Sequence, residues 1–401
     1  MKTIVHRTAL AGAAATAALA MAVTPSLAGA WGENITAYDK AVEASADAGA
    51  WLEGKTPVTT KVTYSGAPIT FRYATYIPEV AGYEKVMRQA LNQLERMSQN
   101  KIKIETYYAQ SLHPQAEGFT AVRDGIADWS ACFMIYEPTS FNLLHSLTLP
   151  FLFTDADAAT RTYMELYPKY FKKEYENLGV HLGRGTITPP YNMLGSDKYE
   201  TLADFKGSKI RVAGRIQIDA IKRLGAVPVS IPSSEAYTSL QRGLVDTVSM
   251  NDPAFLIFKL QEISKFHNNV ALFTVNLEYC SSPDWFEALP ADLKKVFADW
   301  AQITNVAVTQ AYYEREDRRA KDIFKKAGVT LVAPSAAERA SWEKLVAGVT
   351  TDWVASNEKA RRPAKQLLAD IKSTLARHEK MSWNASFADI QANPVKGYID
   401  Y

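Results

Sequence analysis

In this sequence, two cationic side chains on an otherwise apolar predicted strand are the first candidates for binding a ligand. The stretch Gly207–Ser230, GSKIRVAGRIQIDAIKRLGAVPVS, predicts a strand, a helix and a second strand, and the first strand carries Lys209 and Arg211. A buried charge without a partner is costly, and the planar guanidinium of arginine fits a carboxylate at two points. Arg211 is therefore a candidate carboxylate-binding residue. An internal ion pair or an edge strand is the alternative, and Lys209 is expected to be solvated at the strand start.

Aromatic residues concentrate near the predicted strand ends and connections. In open α/β sheets, ligands bind outside the carboxyl ends of the strands, so these side chains are candidates for a ligand site. Packing in the core is the alternative for most of them. The set is Tyr73, Tyr76, Tyr107, Tyr108, Phe133, Tyr136, Tyr191, Tyr237 and Trp285.

Motifs that mark enzymes are missing from the chain. The sequence has no G-x-S-x-G elbow, no Walker loop, no H-E-x-x-H and no C-x-x-C. Around Arg184 the pattern G-x-G occurs, but Thr188 stands where a dinucleotide-binding loop has its third glycine. We therefore predict no cofactor, no metal site and no catalytic residues. A secreted hydrolase or lyase with a dispersed site is the alternative.

The first half of the chain alternates strands and helices. Strands are predicted at Ile69–Tyr73, Ile102–Tyr107 and Ala127–Ile135, with helices at Tyr83–Ser98 and Gln115–Arg123 between them. This β-α-β-α-β order is typical of an open α/β sheet.

The second half begins with a crossing and ends in helices. Thr186–Ser196 has little periodicity and is predicted as an irregular crossing segment, after which a second α/β unit follows. Ser234 is the predicted N-cap of the helix Glu235–Arg242. A helix over Pro290–Lys326 has roughly 37 residues and a length of about 55 Å, which exceeds one small lobe. No pattern is evident in Ser382–Tyr401.

The N-terminus has the features of a secretory signal peptide. Residues 1–28 have a basic start, an Ala-rich apolar run and a small-residue cleavage site, so we predict a periplasmic protein; a membrane anchor is the alternative. Removing Lys2 and Arg7 from the 45 basic residues leaves 43, which equals the 43 acidic residues. A neutral chain argues against nucleic acid as a partner.

In an oxidising compartment Cys132 and Cys280 form either a disulfide or two buried free thiols.

Several stretches, in the same order and spacing, resemble the DctP-type solute-binding proteins of TRAP transporters. The most specific is TLADFKGSKIRVAGRIQIDAIKRLGAVPVSIPSSEAYTSLQRGLVD at Thr201–Asp246. Tyr107–Asp128, the LTLPFLF of Leu147–Phe153 and the DWFEALPADLKKVF of Asp284–Phe297 also match that family's pattern. The resemblance covers Ile69–Val332.

The resemblance implies an α/β, two-lobe periplasmic-binding-protein-like fold with hinge strands and a long lobe-spanning helix. Such a receptor closes over a small organic carboxylate, which Arg211 would bind in a salt bridge, and docks on TRAP membrane permease subunits as a monomer or homodimer. A receptor of the same fold that feeds a sensor kinase is the alternative. The expected division is 1–28 signal peptide, 29–66 N-terminal extension, 67–188 lobe I, 189–275 lobe II, 276–335 lobe-spanning helix and return to lobe I, and 336–401 C-terminal helical extension.

Other ligand contacts of the family transfer less directly. Tyr191 stands where some sialic-acid receptors have a second arginine, and Gln115 and Phe133 stand near their acidic contacts. A sialic acid is therefore not expected, and the aromatic residues favour a less polar monocarboxylate such as an aromatic or keto acid. The candidate ligand contacts are Arg211, Tyr191, Gln115, Phe133, Tyr76, Tyr136, Ser233, Asn251, Asp252 and Arg184.

Overall fold

The computed structural model describes residues 35–400, and the predicted signal peptide lies outside them. The described chain forms two α/β lobes, each built on its own sheet, as the fold prediction requires. No helix in this range is long and apolar enough to cross a membrane.

The strands are short, at most eight residues each. In chain order they are β1 (Ile69–Ala74), β2 (Ile102–Tyr107), β3 (Trp129–Ala131), β4 (His181–Ile187), β5 (Tyr191–Gly195), β6 (Lys209–Val212), β7 (Val227–Ser230), β8 (Thr247–Met250), β9 (Phe266–Phe273), β10 (Asn276–Ser281) and β11 (Thr330–Val332).

The helices cover the sheets and extend past both ends of the α/β region. They are α1 (Ile35–Ala44), α2 (Ala46–Leu52), α3 (Gly82–Met97), α4 (Gly118–Arg123), α5 (Ala156–Tyr170), α6 (Lys172–Glu176), α7 (Arg215–Arg223), α8 (Ala236–Gln241), α9 (Asp252–Ile257), α10 (Pro283–Glu287), α11 (Ala291–Val308), α12 (Arg315–Lys326), α13 (Ala336–Lys359), α14 (Ala364–His378) and α15 (Trp383–Ala392).

The lobe I sheet has the strand order β2-β1-β3-β10-β4. Parallel pairing of β1 with β2 and β3 confirms the β-α-β-α-β order predicted for the first half. The third strand is shorter than predicted, because it ends at Ala131 and the chain then turns through Met134–Tyr136. This turn places the residues after the strand at the carboxyl edge of the sheet.

The lobe II sheet has the strand order β11-β9-β5-β8-β6-β7. The chain passes from the first sheet to the second at 188–190 and returns at 274–275. The crossing predicted within Thr186–Ser196 is confirmed, but it is shorter than that range because β4 continues to Ile187 and β5 begins at Tyr191. Residues of both strands are buried on either face there, so no alternation was available to indicate a strand.

One strand, β10, was not predicted at all. It lies inside the lobe I sheet, antiparallel to both β3 and β4. Its sequence contains Asn276, Glu278 and Ser281, all of which are buried. A polar strand of this kind has neither the alternation nor the apolar run by which strands are recognised.

A continuous helical stretch spans the lobes, as predicted. α11 and α12 are joined by a π-helical segment, Thr309–Glu314. α11 packs on α3 and β4 of lobe I, whereas α12 packs on α9 and β11 of lobe II.

Both ends of the chain pack on this framework. α1 contacts α12, α14 contacts α5, and α15 lies against α11 and α2. Within the C-terminal extension, α15 occupies Trp383–Ala392, where the sequence showed no clear pattern. With only Phe387 and Ile390 buried on its apolar side, this helix had too few periodic residues to be recognised.

Cys132 and Cys280 form a disulfide with their Cα atoms 5.8 Å apart. The pair joins the end of β3 to its neighbour β10, so the free-thiol alternative is wrong.

Candidate ligand-binding site

Arg211 lies inside the lobe II sheet and is only 1 % exposed. β6 pairs with β7 on one side and β8 on the other, so the edge-strand alternative is wrong. Nε donates to the carbonyl of Ile231 at 2.9 Å and Nη1 to that of Ser249 at 3.3 Å. In residues 35–400, Nη2 has no hydrogen-bond partner and no carboxylate forms an ion pair with the guanidinium. One nitrogen atom of this buried guanidinium is therefore available to donate a hydrogen bond to another molecule.

A narrow cavity between the lobes borders this guanidinium. It lies where β1, β3, β6 and β8 end, and its volume of about 30 Å³ shows that the lobes are nearly closed on each other. Eight of the ten residues predicted as ligand contacts line it, namely Arg211, Tyr191, Gln115, Phe133, Tyr76, Tyr136, Ser233 and Asn251.

Aromatic rings form much of the cavity wall. Tyr76 meets Phe133 edge to face, with ring centroids 5.5 Å apart, and stacks on Phe258 of lobe II at 6.5 Å. Burial raises the pKa of the Tyr191 phenol, against the opposing effect of the nearby Arg211. The phenol is therefore neutral at physiological pH and keeps a proton that it can donate to an anion.

Hydrogen bonds connect the lobes beside the cavity. Gln115 Nε2 of lobe I donates to Ser233 Oγ of lobe II at 2.8 Å, and Gln115 Oε1 accepts from the Ser234 N–H at 3.2 Å. The Ser233 N–H donates to the Tyr136 hydroxyl at 3.4 Å. These contacts join the two lobes directly. The predicted N-cap at Ser234 is wrong, because the chain already turns at Ser233–Glu235 and no side chain caps this helix start.

Asn251 lies at the start of α9 and faces the cavity. Its side-chain oxygen accepts from the N–H of Ala254 at 2.9 Å, which caps the helix. This bond fixes the orientation of the amide at the cavity wall.

Asp252, the next residue, does not line the cavity. Its Oδ1 accepts from Asn192 Nδ2 and His267 Nε2, each at 2.8 Å, and its Oδ2 lies 3.0 Å from Lys321 Nζ. Burial acts to raise the pKa of Asp252, but His267 and Lys321 outweigh it and hold that pKa below its ordinary value. The carboxylate thus joins α9, β9 and α12 inside lobe II.

Arg184 also lies away from the cavity, inside the lobe I core. It is fully buried on β4, where Nη2 donates to the hydroxyl of Tyr83 at 2.8 Å. Its guanidinium carbon lies 4.8 Å from the ring centroid of Tyr279. Nε and Nη1 have no hydrogen-bond partner in the part of the chain that the structure describes.

Other residues complete the cavity without having been predicted. Leu277 comes from the unrecognised β10, and Tyr313 comes from the π-helical segment, whose helical pattern indicated only a core residue. The one feature of the sequence that could have indicated Tyr313 as a cavity residue was its aromatic side chain within the predicted lobe-spanning helix. The full additional set is Ile135, Ala213, Met250, Ala254, Ile257, Phe258, Leu277 and Tyr313.

The chemistry of this lining is that of anion binding. It combines one guanidinium with neutral phenol, amide and hydroxyl groups and with apolar rings. Within residues 35–400, no group of three or more His, Cys, Asp or Glu side chains is placed to hold a metal ion.

Comparison with known proteins identifies relatives over most of the chain. Residues 79–357 match the family described as "Bacterial extracellular solute-binding protein, family 7". The C4-dicarboxylate-binding periplasmic protein DctP of Rhodobacter capsulatus is 24% identical over 328 residues, which are 80% of this chain and 92% of that protein.

Solved structures agree in fold. A TRAP solute-binding protein from Rhodoferax ferrireducens T118, in complex with copurified benzoate, has a TM-score of 0.73 at 23% identity and covers 78% of this chain and 99% of its own. A TRAP periplasmic solute-binding protein from Bordetella bronchiseptica, with bound (R)- and (S)-mandelate, has a TM-score of 0.72 at 22% identity, with coverage of 77% and 99%.

These relatives are substrate-binding receptors, so the hydrolase or lyase alternative is wrong and the protein is not an enzyme. The family match extends over more than half of the sequence and includes the stretch around Arg211. The chain belongs to family 7 of the bacterial extracellular solute-binding proteins, the DctP-type receptors of TRAP transporters.

Proposed function

We propose that this protein is the periplasmic receptor of a TRAP transporter, capturing a small organic carboxylate between its lobes and delivering it to the membrane permease subunits. The unpaired Nη2 of Arg211, buried beside the inter-lobe cavity, is the observation that carries this proposal. The N-terminal sequence and the name of the family support export from the cytoplasm.

The ligand is an aromatic or keto monocarboxylate. Among the described residues that line the cavity, Arg211 is the only charged one, so a second carboxylate would be buried without a cation. The Rhodobacter relative is named for C4-dicarboxylates, whereas the two structural relatives hold benzoate and mandelate, each with one carboxylate and one ring. Rings such as Phe133 and Phe258 favour the second kind of ligand.

Binding and closure act together in this proposal. The carboxylate accepts from Nη2 of Arg211 and from the phenol of Tyr191, while the rings cover the rest of the ligand. Closure excludes water, and the lower local dielectric strengthens the charge-assisted hydrogen bonds.

The test is calorimetric titration with benzoate, mandelate, phenylpyruvate, succinate and galacturonate. We expect the first three to bind and Arg211→Ala to weaken the best of them by about 100-fold, since truncating a buried pair costs roughly 2–5 kcal/mol. Arg211→Lys should bind at an intermediate level because it keeps the charge but loses the planar fork.

Lys209→Ala, two residues away on the same strand but outside the cavity, is the matched control and should bind as the native protein does. Unchanged affinity in both Arg211 variants would contradict the assigned role. Preference for galacturonate or succinate would contradict the ligand class.

A further inference from the structure

Two tyrosine hydroxyls at the inter-lobe cavity have no hydrogen-bond partner in the part of the chain that the structure describes. Tyr76 and Tyr313 both line this cavity, and neither hydroxyl is bonded to another group of residues 35–400. Neither oxygen atom is fully enclosed by protein, so each keeps some surface that a small molecule can touch. Tyr313 as a whole is only 3 % exposed, so little of that surface lies outside the cavity.

The chain places both tyrosines on the lobe I side of the cavity. Tyr76 lies in the connection between β1 and α3, and Tyr313 lies in the π-helical segment Thr309–Glu314 between α11 and α12. Single π-helical turns within α-helices are frequent at functional sites, and this one packs on α3 and α5 of lobe I. The ring of Tyr313 also contacts Tyr83, with centroids 5.9 Å apart. Packing within lobe I therefore fixes the position of this ring.

The other polar side chains that lobe I contributes to the cavity are already bonded to lobe II. Gln115 Nε2 donates to Ser233 Oγ at 2.8 Å, and the Tyr136 hydroxyl accepts from the Ser233 N–H at 3.4 Å. Among the described lobe I residues that line the cavity, the phenols of Tyr76 and Tyr313 are thus the polar groups left without a protein partner.

The groups assigned to the carboxylate come from the opposite lobe. Arg211 lies on β6 and Tyr191 on β5, both in the lobe II sheet. A ligand enclosed between the lobes and held by its carboxylate at lobe II presents its other end to lobe I. Burial raises the pKa of Tyr76 and of Tyr313 well above the ordinary value for a phenol. Both phenols are therefore neutral, and each can donate its proton and accept at its oxygen.

A neutral hydroxyl group on the ligand suits this pair of phenols. It can donate to one phenol oxygen and accept from the other phenol. An apolar end would leave both phenols without partners once water is excluded, which is unfavourable. A second carboxylate or an ammonium group would be buried without a counter-charge, because Arg211 is the only charged residue among those described at the cavity.

We propose that the hydroxyls of Tyr76 and Tyr313 bind a hydroxyl group on the ring of an aromatic monocarboxylate, so that the receptor prefers a hydroxylated aromatic acid to the unsubstituted acid. This inference rests on the proposed function, in which Arg211 binds the carboxylate. The two tyrosines would determine specificity, since a site built to bond a hydroxyl discriminates against the analogue that lacks it.

The experiment is calorimetric titration of the mature protein with benzoate and with 2-, 3- and 4-hydroxybenzoate. We expect at least one hydroxybenzoate to bind about tenfold more tightly than benzoate, as two additional hydrogen bonds allow. The methylbenzoate substituted at the same ring position is the control ligand. Its methyl group is similar in size to a hydroxyl but forms no hydrogen bond, so it should show no such gain.

Two variants remove the hydroxyls and keep the rings. Tyr313→Phe and Tyr76→Phe should each weaken binding of the preferred hydroxybenzoate by about threefold to tenfold and leave the Kd for benzoate within about twofold of the native value. A merely structural role would weaken both acids alike. Tyr312→Phe is the matched control, because it makes the same change one residue earlier in the π-helical segment, at a side chain that does not line the cavity.

Equal affinity of the native protein for benzoate and for all three hydroxybenzoates would overturn this inference. So would a gain in affinity that persists in both phenylalanine variants, or one that the methylbenzoate reproduces. Benzoate binding that depends on Arg211 would in each case leave the proposed function standing. No binding of any of these acids would contradict the proposed ligand class and overturn the inference together with it.

Discussion

Arg211 and Arg184 are both buried arginines with unpaired nitrogen atoms, yet they differ in what surrounds them. Arg211 borders the inter-lobe cavity, whereas Arg184 lies among the tyrosines of the lobe I core, over the ring of Tyr279 and bonded to Tyr83. A cation held against aromatic faces is partly compensated without any carboxylate. Both arginines were candidate ligand contacts because of their residue type, but only Arg211 lines the cavity.

Replacing Arg184 should therefore leave ligand binding intact. For Arg184→Met we expect the Kd for the best carboxylate to stay within about threefold of the native value, because Arg184 does not line the cavity. Calorimetry alongside Arg211→Ala is the measurement. A loss as large as that of Arg211→Ala would place Arg184 in the site.

Glu84 gives the protein a specific dependence of stability on pH. It is buried on α3, and burial raises its pKa to about 7, against the opposing effect of hydrogen bonds from Thr75 and Tyr73. An acid with a raised folded pKa stabilises the fold fully below its unfolded pKa, and this contribution is lost as pH rises to the folded value. The unfolded carboxyl ionises first, so stability falls between about pH 4.5 and 7.

Between pH 5 and pH 8, the free energy of unfolding should fall by about 2–3 kcal/mol more in the native protein than in Glu84→Gln. Urea denaturation at both pH values measures the difference, and the variant serves as the control for every other titrating group. Identical pH dependence in the two proteins would show that Glu84 ionises normally.

At the scale of elements, Asp252 joins helices and strands of lobe II and does not line the ligand cavity. It bonds α9 to β5 through Asn192, to β9 through His267 and to α12 through Lys321. Lys321 also lies 2.7 Å from Asp317 on its own helix. Asn251, which faces the cavity, is thereby attached to the lobe-spanning helix through its neighbour.

Asp252→Asn should destabilise the protein by about 3 kcal/mol, because the buried Lys321 would lose one of its carboxylate partners and the charge-assisted hydrogen bond from His267 would weaken. Urea denaturation is the measurement. Glu316→Gln, which breaks the more exposed pair with Arg319, is the control and should cost less than about 1 kcal/mol. Equal costs in the two variants would contradict a structural role for Asp252.

At the scale of the whole molecule, the lobes are held closed by contacts beside the site. The bonds from Gln115 to Ser233 and Ser234 link residues more than 100 positions apart and exist only when the lobes meet. We expect these bonds to favour the closed form of the receptor, and part of the affinity to depend on them.

Gln115→Ala should weaken binding of the best carboxylate by roughly fivefold to 150-fold, since it removes two hydrogen bonds of about 0.5–1.5 kcal/mol each. Small-angle X-ray scattering of the ligand-free variant should show a larger radius of gyration than the native protein. Gln366→Ala, an exposed amide on α14, is the control. An unchanged radius together with unchanged affinity would show that these bonds do not govern closure.

Local patterns determined the main architecture from the sequence alone. Strand alternation and helical periodicity predicted the first α/β unit, and the length of the helix over Pro290–Lys326 predicted that it spans both lobes. Those signals arise from side chains a few positions apart, which share one face of an element. The placement of Arg211 on a strand followed in the same way.

Tertiary structure alone decided the rest, because it depends on contacts between distant residues. The pairing of Cys132 with Cys280, the insertion of the polar β10 and the separation of Arg184 and Asp252 from the cavity all follow from packing across the sheets. The spacing of residues in the sequence determines which side chains lie on the same face of a helix or strand. It does not determine which distant element packs against that face. A cavity on lobe I, lined by residues of α2, α3, α11 and α15 and of the segment 56–60, has the same origin.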